Sequence, residues 1–488
     1  MVGRLLIAWT LAATSQAAAG AIVFVDDDAA GGDGSSWAEA YSNLDDALTA
    51  MASGNADEVW VAAGTYKPSL RSDPDDPRSC SFSLVNGGVL RGGLFGDEDP
   101  TTFDLADRDL VVNETILSGD LGTPGSTADN AYHVLIGESL NALTTLDGFT
   151  ITGGNANLGN SDGARGGGMW LKDCRLTIRS CTFLANRAEW RGAGLYIGRG
   201  AYPRIIECRF IGNYCNRTYS IGAGFSFLRG APEVSRCLFA GNSATAGGAV
   251  DAGPPEGQES ALFTNCVFTG NQARGAPYSS YSGGAMFLSG WARVALTHCT
   301  FSQNRVLQPY SSSGGGGALS AGVDSVTHLT NCILYGDQAE DATEIRIWTS
   351  ATVIISHCDI RLGQGGVSNV GGTMQWLGGN LDADPLFVAP LGADMTAGTA
   401  EDDLRVDTGS SCIDVGDNSA AAGGLDYSGR PRISAGTGLV DLGAYEYPDC
   451  NANGLRDDDE PGLDGDSDGV PDVCDNCLGI GNPSQQDA

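Results

Sequence analysis

The residues most plainly spaced for chemistry are carboxylates near the C-terminus. Asp464, Asp466, Asp468, Gly469, Asp472 and Asp475 occupy positions 1, 3, 5, 6, 9 and 12 of a twelve-residue loop, and Val470 sits where a backbone carbonyl is needed. Asp449, Asn451, Asn453, Gly454, Asp457 and Glu460 repeat the pattern, with Leu455 as the carbonyl donor. Ca2+ is a hard cation that takes six to eight oxygens, and this spacing curls alternate side chains round one point while glycine permits the sharp turn. An acidic tail alone would explain the charge but not the register. Until a cation neutralises them, carboxylates this dense repel one another, so calcium is expected to order the segment. Pro448, Pro461 and Pro471 interrupt it, which disfavours flanking helices.

Those loops must be carried by something, and the middle of the chain shows what. The phrase Cys-x-Phe-x-x-Asn occurs at Cys181, Cys208, Cys237, Cys266 and Cys299, and continues in decayed form at Cys332 and Cys358. A glycine phrase ending in an apolar residue keeps step with it: Gly167-Gly168-Met169, Gly192-Ala193-Gly194-Leu195, Gly222-Ala223-Gly224-Phe225, Gly247-Gly248-Ala249-Val250, Gly283-Gly284-Ala285-Met286 and Gly316-Gly317-Ala318-Leu319. Repetition every 26 to 33 residues is a solenoid period. Between the anchors lie short period-2 segments such as Arg175-Leu176-Thr177-Ile178 and Val294-Ala295-Leu296-Thr297, which read as strands. About three short strands per unit and no helix describe one coil of a parallel β-helix, right-handed as parallel crossovers are. Roughly seven coils at a strand spacing of ~4.8 Å would rise about 34 Å.

Within a coil, Cys and Phe two positions apart face inward together. In-register cysteines point their Cβ vectors in parallel, which suits bridging poorly, so the thiols of the column are expected to be unpaired core residues rather than a metal or redox ladder. The Asn of each phrase reads as a turn residue or an internal amide ladder.

The ends need covers, because an open coil exposes strand edges. Ser36 and Glu39 form a capping box, and Trp37, Ala40, Leu44, Ala47, Leu48 and Met51 recur at helical spacing, which predicts one amphipathic helix across the first coil. Glu58 to Ala63 and Gly88 to Leu94 read as lead-in strands. At the other end, Asp384-Pro385-Leu386-Phe387, Ser411 to Asp414, Gly429 to Arg432 and Val440 to Glu446 resemble the closing segment of many secreted β-helix proteins, which implies a C-terminal cap, with the acidic residues expected as turn and cap groups.

Composition agrees. Gly 71 of 488 residues and only two lysines favour turns over helices. A formal charge of −33 disfavours nucleic acid and anionic membranes, which need clustered Lys and Arg. Arg4, the apolar run Leu5 to Ala13 and the small residues Ala17 to Ala19 have the layout of a secretory signal peptide, so an extracellular or cell-surface location is expected with no transmembrane helix in the mature chain. The divisions are residues 1–21 for the signal, 22–145 for the N-terminal cap and first coils, 146–366 for the repeats, 367–447 for the last coils and cap, and 448–488 for the calcium-binding tail.

The repeat phrases from Leu146 to Gly366 resemble the FxxN and GGA repeats of chlamydial polymorphic outer-membrane proteins and of secreted pectin-lyase-like β-helix proteins. That resemblance implies an all-β right-handed β-helix with a surface or adhesive role; the autotransporter barrel of the former has no counterpart here. Asp464 to Asp487, with Cys474-Asp475-Asn476-Cys477, is similar to a thrombospondin type 3 repeat, which implies calcium binding, an extracellular setting and adhesion.

Ligand contact is expected where the residue after each glycine-phrase anchor points outward: Trp170, Tyr196, Ser226, Asp251, Phe287 and Ser320, with Trp190, Tyr214, Tyr219, Tyr278, Tyr281 and Tyr310 from loops on the same edge. Such rings, with Asp and Ser beside them, suit an extracellular polysaccharide or a cell-surface partner; loops packing over that face are the competing reading. Catalysis would need a base beside a sugar carboxylate or a spaced carboxylate pair, and neither stands out in the repeats. His298 and His357 precede repeat cysteines and read as solvent-facing rather than metal-binding. A non-catalytic glycan-binding or adhesion protein is therefore expected first, with a polysaccharide lyase or glycoside hydrolase, or a structural stalk, as alternatives.

Overall fold

The computed structural model describes residues 21–159, 162–275, 282–307, 314–340, 344–421, 424–433, 437–449 and 456. Residues 1–20 of the proposed signal peptide and every calcium-loop residue except Asp449 lie outside them, as do Tyr278, Tyr281 and Tyr310.

The chain winds into a parallel β-helix whose coils contribute to four sheets. Sheet 1 has twelve strands, from Ile22–Val25 to Thr373–Trp376; sheet 2 has ten, from Gly64–Tyr66 to Asp359–Ile360; sheet 3 has six two-residue strands, from Asn155–Ala156 to Arg305–Val306; sheet 4 has ten, from Phe82–Ser83 to Val367–Asn369. Coiling thus begins well before the repeat phrases do. Twelve strands at ~4.8 Å make a body about 53 Å long, longer than the recognisable repeats imply.

The Cys-x-Phe-x-x-Asn phrase lines the interior as its spacing requires. Phe183, Phe210, Phe239, Phe268 and Phe301 stack with centroids 4.4 to 4.9 Å apart and planes within 5° of parallel, at the strand spacing itself. Cys181, Cys208, Cys237, Cys266, Cys299, Cys332 and Cys358 are buried free thiols beside them. The asparagines form the amide ladder. From Asn213 onward each Oδ1 takes the main-chain N–H of the Asn one coil earlier, from Asn213 N–H to Asn242 at 3.0 Å for instance, and each Nδ2 reaches the carbonyl of the preceding coil's Phe, as Asn242 does to Phe210 at 2.8 Å; the first rung, Asn186, pairs instead with the Gly154 N–H and the Ile151 carbonyl.

Corners are made by single residues in the left-handed region. Ser180, Glu207, Arg236, Asn265, His298, Asn331 and His357, each just before a repeat cysteine, have φ between 48° and 56°. A non-glycine residue costs about 1–2 kcal/mol there, which the ladders on both sides must offset. Short period-2 segments gave no sign of these corners in advance.

Two expectations about the ends are corrected. The N-terminal helix is split: Trp37–Glu39 is a single 3-10 turn capped by Ser36, and α1 spans Leu44–Ala52 with Asn43 as its cap. Tyr41 causes the break by bridging Val25 at the sheet edge, donating its N–H to the Phe24 carbonyl at 2.9 Å. Helix α1 does close the first coil, with Leu44, Ala47, Leu48 and Met51 in the main core. Meanwhile the C-terminal segment runs back along the flank over sheet 2, as a strap rather than an end cap. Leu404 and Ala444 pack on Leu238, Ala240 and Val267, and Val406, Cys412, Leu442 and Tyr447 on Ile333. Outward positions such as Leu238, Val267 and Ile333 are apolar there and the strap buries them, while Thr269 and Thr300 hydrogen-bond to Asp402 and to the Ala444 N–H of the strap.

Arg432 anchors the strap. Buried in the flank, it donates to Glu446 at 2.6 Å, Asn265 Oδ1 at 3.0 Å and the Gly443 carbonyl at 2.7 Å. Burial pushes the Glu446 and Asp441 carboxyls up, and the Arg432 guanidinium opposes the rise at both. His298, expected to face solvent, is covered by this strap, and burial lowers its pKa to about 2. The acidic residues Asp441 and Glu446 serve as cap groups within it.

Candidate functional site

The row expected to carry ligand is in perfect register. Trp170, Tyr196, Ser226, Asp251, Phe287 and Ser320 are neighbours on successive strands of sheet 4, all pointing away from the core. Its openness is the part that fails. Tyr196, Ser226, Asp251 and Ser320 are buried, and only Trp170 and Phe287 keep partial exposure.

The cause is the glycine phrase. Gly166, Gly192, Gly222 and Gly247 adopt φ of 56° to 69° and fold the chain back over the outward side chains. A Cβ on Gly222 would lie 2.5 Å from the Asp251 nitrogen, so only glycine fits. Arginines seal the rest. Arg191 pairs with Asp251 at 2.8 Å, Ser226 donates to the same oxygen at 2.7 Å, and Arg165 lies over the Tyr196 ring at 5.4 Å. Burial raises the Asp251 carboxyl while Arg191 opposes the rise. Arg217 over Trp190 and Arg274 over Tyr214 engage two of the loop aromatics in the same way. This flank is packed, and Asp251 and Tyr196 are structural within it.

The accessible surface is the outer face of sheet 1. Neither the glycine turns nor the strap covers it, and Arg179, Arg204, Glu233, Leu262, His328 and Gln375 stand exposed along it. Their strands alternate cleanly: Ile178, Ile205, Val234 and Phe263 face the core between them. At the edge where chain enters from sheet 4 lies a groove of about 490 Å³, lined by Arg175, Thr177, Tyr202, Arg204, Glu233 and Glu259 among others.

The groove combines a ring with both signs of charge. The Arg175 guanidinium lies 4.9 Å from the Tyr202 centroid, and Arg204 meets Glu233 at 3.4 Å with both side chains mostly exposed. Desolvation, then the Glu259 and Glu256 carboxylates, push the Tyr202 hydroxyl up, which keeps it a neutral donor. Trp291, one coil beyond Glu259, is 68% exposed. Aromatic rings with guanidinium and carboxylate groups can stack on a sugar ring and bind its hydroxyl or carboxylate substituents.

Tyr202, Arg204, Glu233, Glu259 and Trp291 belong to no repeat phrase. The usable signal was the polar-out alternation of Arg204-Ile205-Ile206 and Glu233-Val234-Ser235, far from any glycine phrase. Asp26, Asp27 and Asp28 also bring carboxylate oxygens within 4.8 Å of one another at the N-terminal end, as an exposed acidic cluster. Among the described residues, no helix is long and apolar enough to cross a membrane.

Residues 142–316 match the family model described as a right handed beta helix region, in agreement with the four-sheet coil. Among solved structures, the chain is similar to the catalytic domain of a GH87 alpha-1,3-glucanase in complex with nigerose, at 11% identity over 69% of this chain and 67% of that one. The TM-score of 0.35 is too low for that likeness to bear on activity. No curated protein matches the chain.

Proposed function

We propose that this chain is a non-catalytic, glycan-binding β-helix protein that works outside the cell. Sheet 1 is its binding face, and its acidic tail is a pair of calcium loops. The observation that carries the reading is the groove formed by Arg175, Tyr202, Arg204, Glu233 and Glu259 on the outer face left open by glycine turns and strap. The signal-like N-terminus supports export, and the loop register of Asp464 to Asp475 and of Asp449 to Glu460 supports calcium as the cofactor. A charge of −33 supports cations and sugars over nucleic acid as partners.

Two carboxylates, Glu233 and Glu259, share the groove, and this favours a glycoside hydrolase as the second reading. Affinity electrophoresis through gels containing neutral and acidic polysaccharides, with parallel assays for new reducing ends and unsaturated products, separates the two. Retarded migration without product is expected. Reducing ends that disappear in Glu259→Gln would replace the binding reading with hydrolysis.

A further inference from the structure

The coils end on an unpaired strand. Thr373–Trp376 is the last strand of sheet 1, and among the described residues nothing pairs with its far side. Thr373 and Leu377 donate their N–H groups back to Ala351 and Ile355, so by the alternation of a parallel ladder the main-chain groups of Met374 and Trp376 point away from the body. The side chains of Met374 and Trp376 continue the inward rows of Val353 and Ile355. Both stay partly exposed, whereas Val353 and Ile355 are fully buried. The strap does not close this end, because it packs back along the flank.

The composition of this end sets it apart from a solvated edge. From Leu362 to Leu381 there is no Asp, Glu, Lys, Arg or Pro, in a chain where 18% of residues are charged. Exposed strand edges are ordinarily guarded by charged side chains, by proline or by a covering element, and among the described residues this one has none of them. Leu362, Val370 and Leu377 stand 52%, 41% and 49% exposed around it.

Charge and topology together name the partner. A chain of −33 repels its own copies, and a charge-free face lets two of them meet without pressing like charges together. The opposite end is closed by α1, whose Leu44, Leu48 and Met51 cover the first coil, so head-to-tail stacking is blocked. The surface that matches the bare edge is the same edge of another copy. One coil runs from Thr352 to Thr373; at ~3.3 Å per residue it encloses, with its outward side chains, roughly 800 Å². That is what each partner contributes to a stable interface of standard size.

We propose that two copies of this chain join tail to tail, their Thr373–Trp376 strands pairing antiparallel across a twofold axis. With Gln375 at the axis, Met374 of one copy lies beside Trp376 of the other on the inward side of the sheet. The axis is perpendicular to sheet 1, so the sheet continues from one copy into the next and both outer faces look the same way. A twofold contact closes on itself, which ends the assembly at two.

Sedimentation equilibrium of the full chain, wild type against Gln375→Lys, tests this. Gln375 is exposed on the outer face, so the lysine leaves the core untouched while setting two ammonium groups against each other at the axis. The wild type should sediment as a dimer, and the dissociation constant of the variant should rise at least about tenfold at an unchanged melting temperature. Small-angle scattering should show a particle nearly double the monomer in length, and the Met374 and Trp376 amides should exchange faster as the wild type is diluted. Should the lysine lower the melting temperature, Thr373→Lys replaces it under the same criteria. A monomer at every concentration, a dimer no longer than the monomer, or a dimer that the lysine leaves intact would overturn the proposal.

Discussion

Asn304 gives both its main-chain N–H and its Nδ2 to a single oxygen of Asp337, at 2.7 and 2.8 Å. Asp337 thereby ends the amide ladder that runs from Asn186, and its other oxygen has the Glu344 carboxyl to share a proton with. Glu344 lies beside it, and burial pushes both carboxyls up, with the Asp337 charge adding to the rise at Glu344. A carboxyl whose pKa is raised on folding stabilises the fold below its unfolded pKa of ~4, and that contribution is lost as pH rises through the raised value. Urea midpoints should therefore fall between pH 5 and pH 9. Asp337→Asn should flatten the fall and add roughly 1 kcal/mol or more at pH 8. An unchanged pH profile would show that the pair does not hold the extra proton.

The phenylalanine column makes a prediction about position within one strand. Phe239→Ala should cost about 3–5 kcal/mol through lost burial and a cavity between two stacked rings. Leu184→Ala, at an outward and 37% exposed position of the same sheet, should stay within about 0.5 kcal/mol. Equal losses in chemical denaturation would mean that the rings do not share an axis.

Removing one rung of the ladder should cost more than its volume suggests. Asn242→Ala strands the Asn213 N–H and the Phe210 carbonyl, both otherwise paired with Asn242. Each buried partner left unpaired costs roughly 1–3 kcal/mol. Asn242→Asp, which keeps the acceptor but not the donor, should fall between wild type and Ala in thermal melts.

The strap is held by one buried cation. Arg432→Met removes the guanidinium from Glu446 and Asn265 Oδ1, leaving Glu446 only the Asp441 N–H, and breaking a buried pair costs about 3–5 kcal/mol. Limited proteolysis should then cut within residues 384–449 before the coils, whereas the wild type resists there. Arg432→Met combined with Glu446→Gln should regain part of the protection.

What the sequence revealed follows from how periodic each feature is. Cys, Phe and Asn recur at fixed spacing because stacking demands like over like, so the column, the ladder and the fold class were legible. Asp251 and Tyr196 were rightly placed outward, but period-2 alternation reports direction relative to the core and says nothing of what the chain lays on top. The covering glycines, Gly222 and Gly247, mark each coil by their spacing, but spacing alone does not show that they fold over the outward side chains. Helix α1 was foreseen, while the break at Tyr41 depended on a sheet edge the preceding residues had yet to build. The strap over Leu238, Val267 and Ile333 had a local sign: these outward positions are apolar where Thr182 and Arg209 are not. Tyr202 and Glu259 come from loops of unequal length, where no repeat marks the site.

Everything functional rests on sheet 1 being the face that meets a ligand. The direct measurement is affinity electrophoresis against a retarding polysaccharide, comparing Tyr202→Ala with Trp291→Ala and Trp170→Ala, each checked for an unchanged melting temperature. Retardation should weaken at least about tenfold for Tyr202→Ala, the loss of ~1.4 kcal/mol expected when a stacking ring is removed, and should weaken also for Trp291→Ala. Trp170→Ala should migrate as the wild type does. Binding that survives in the first two and is lost in the third would place the ligand on the glycine-turn flank and contradict the account.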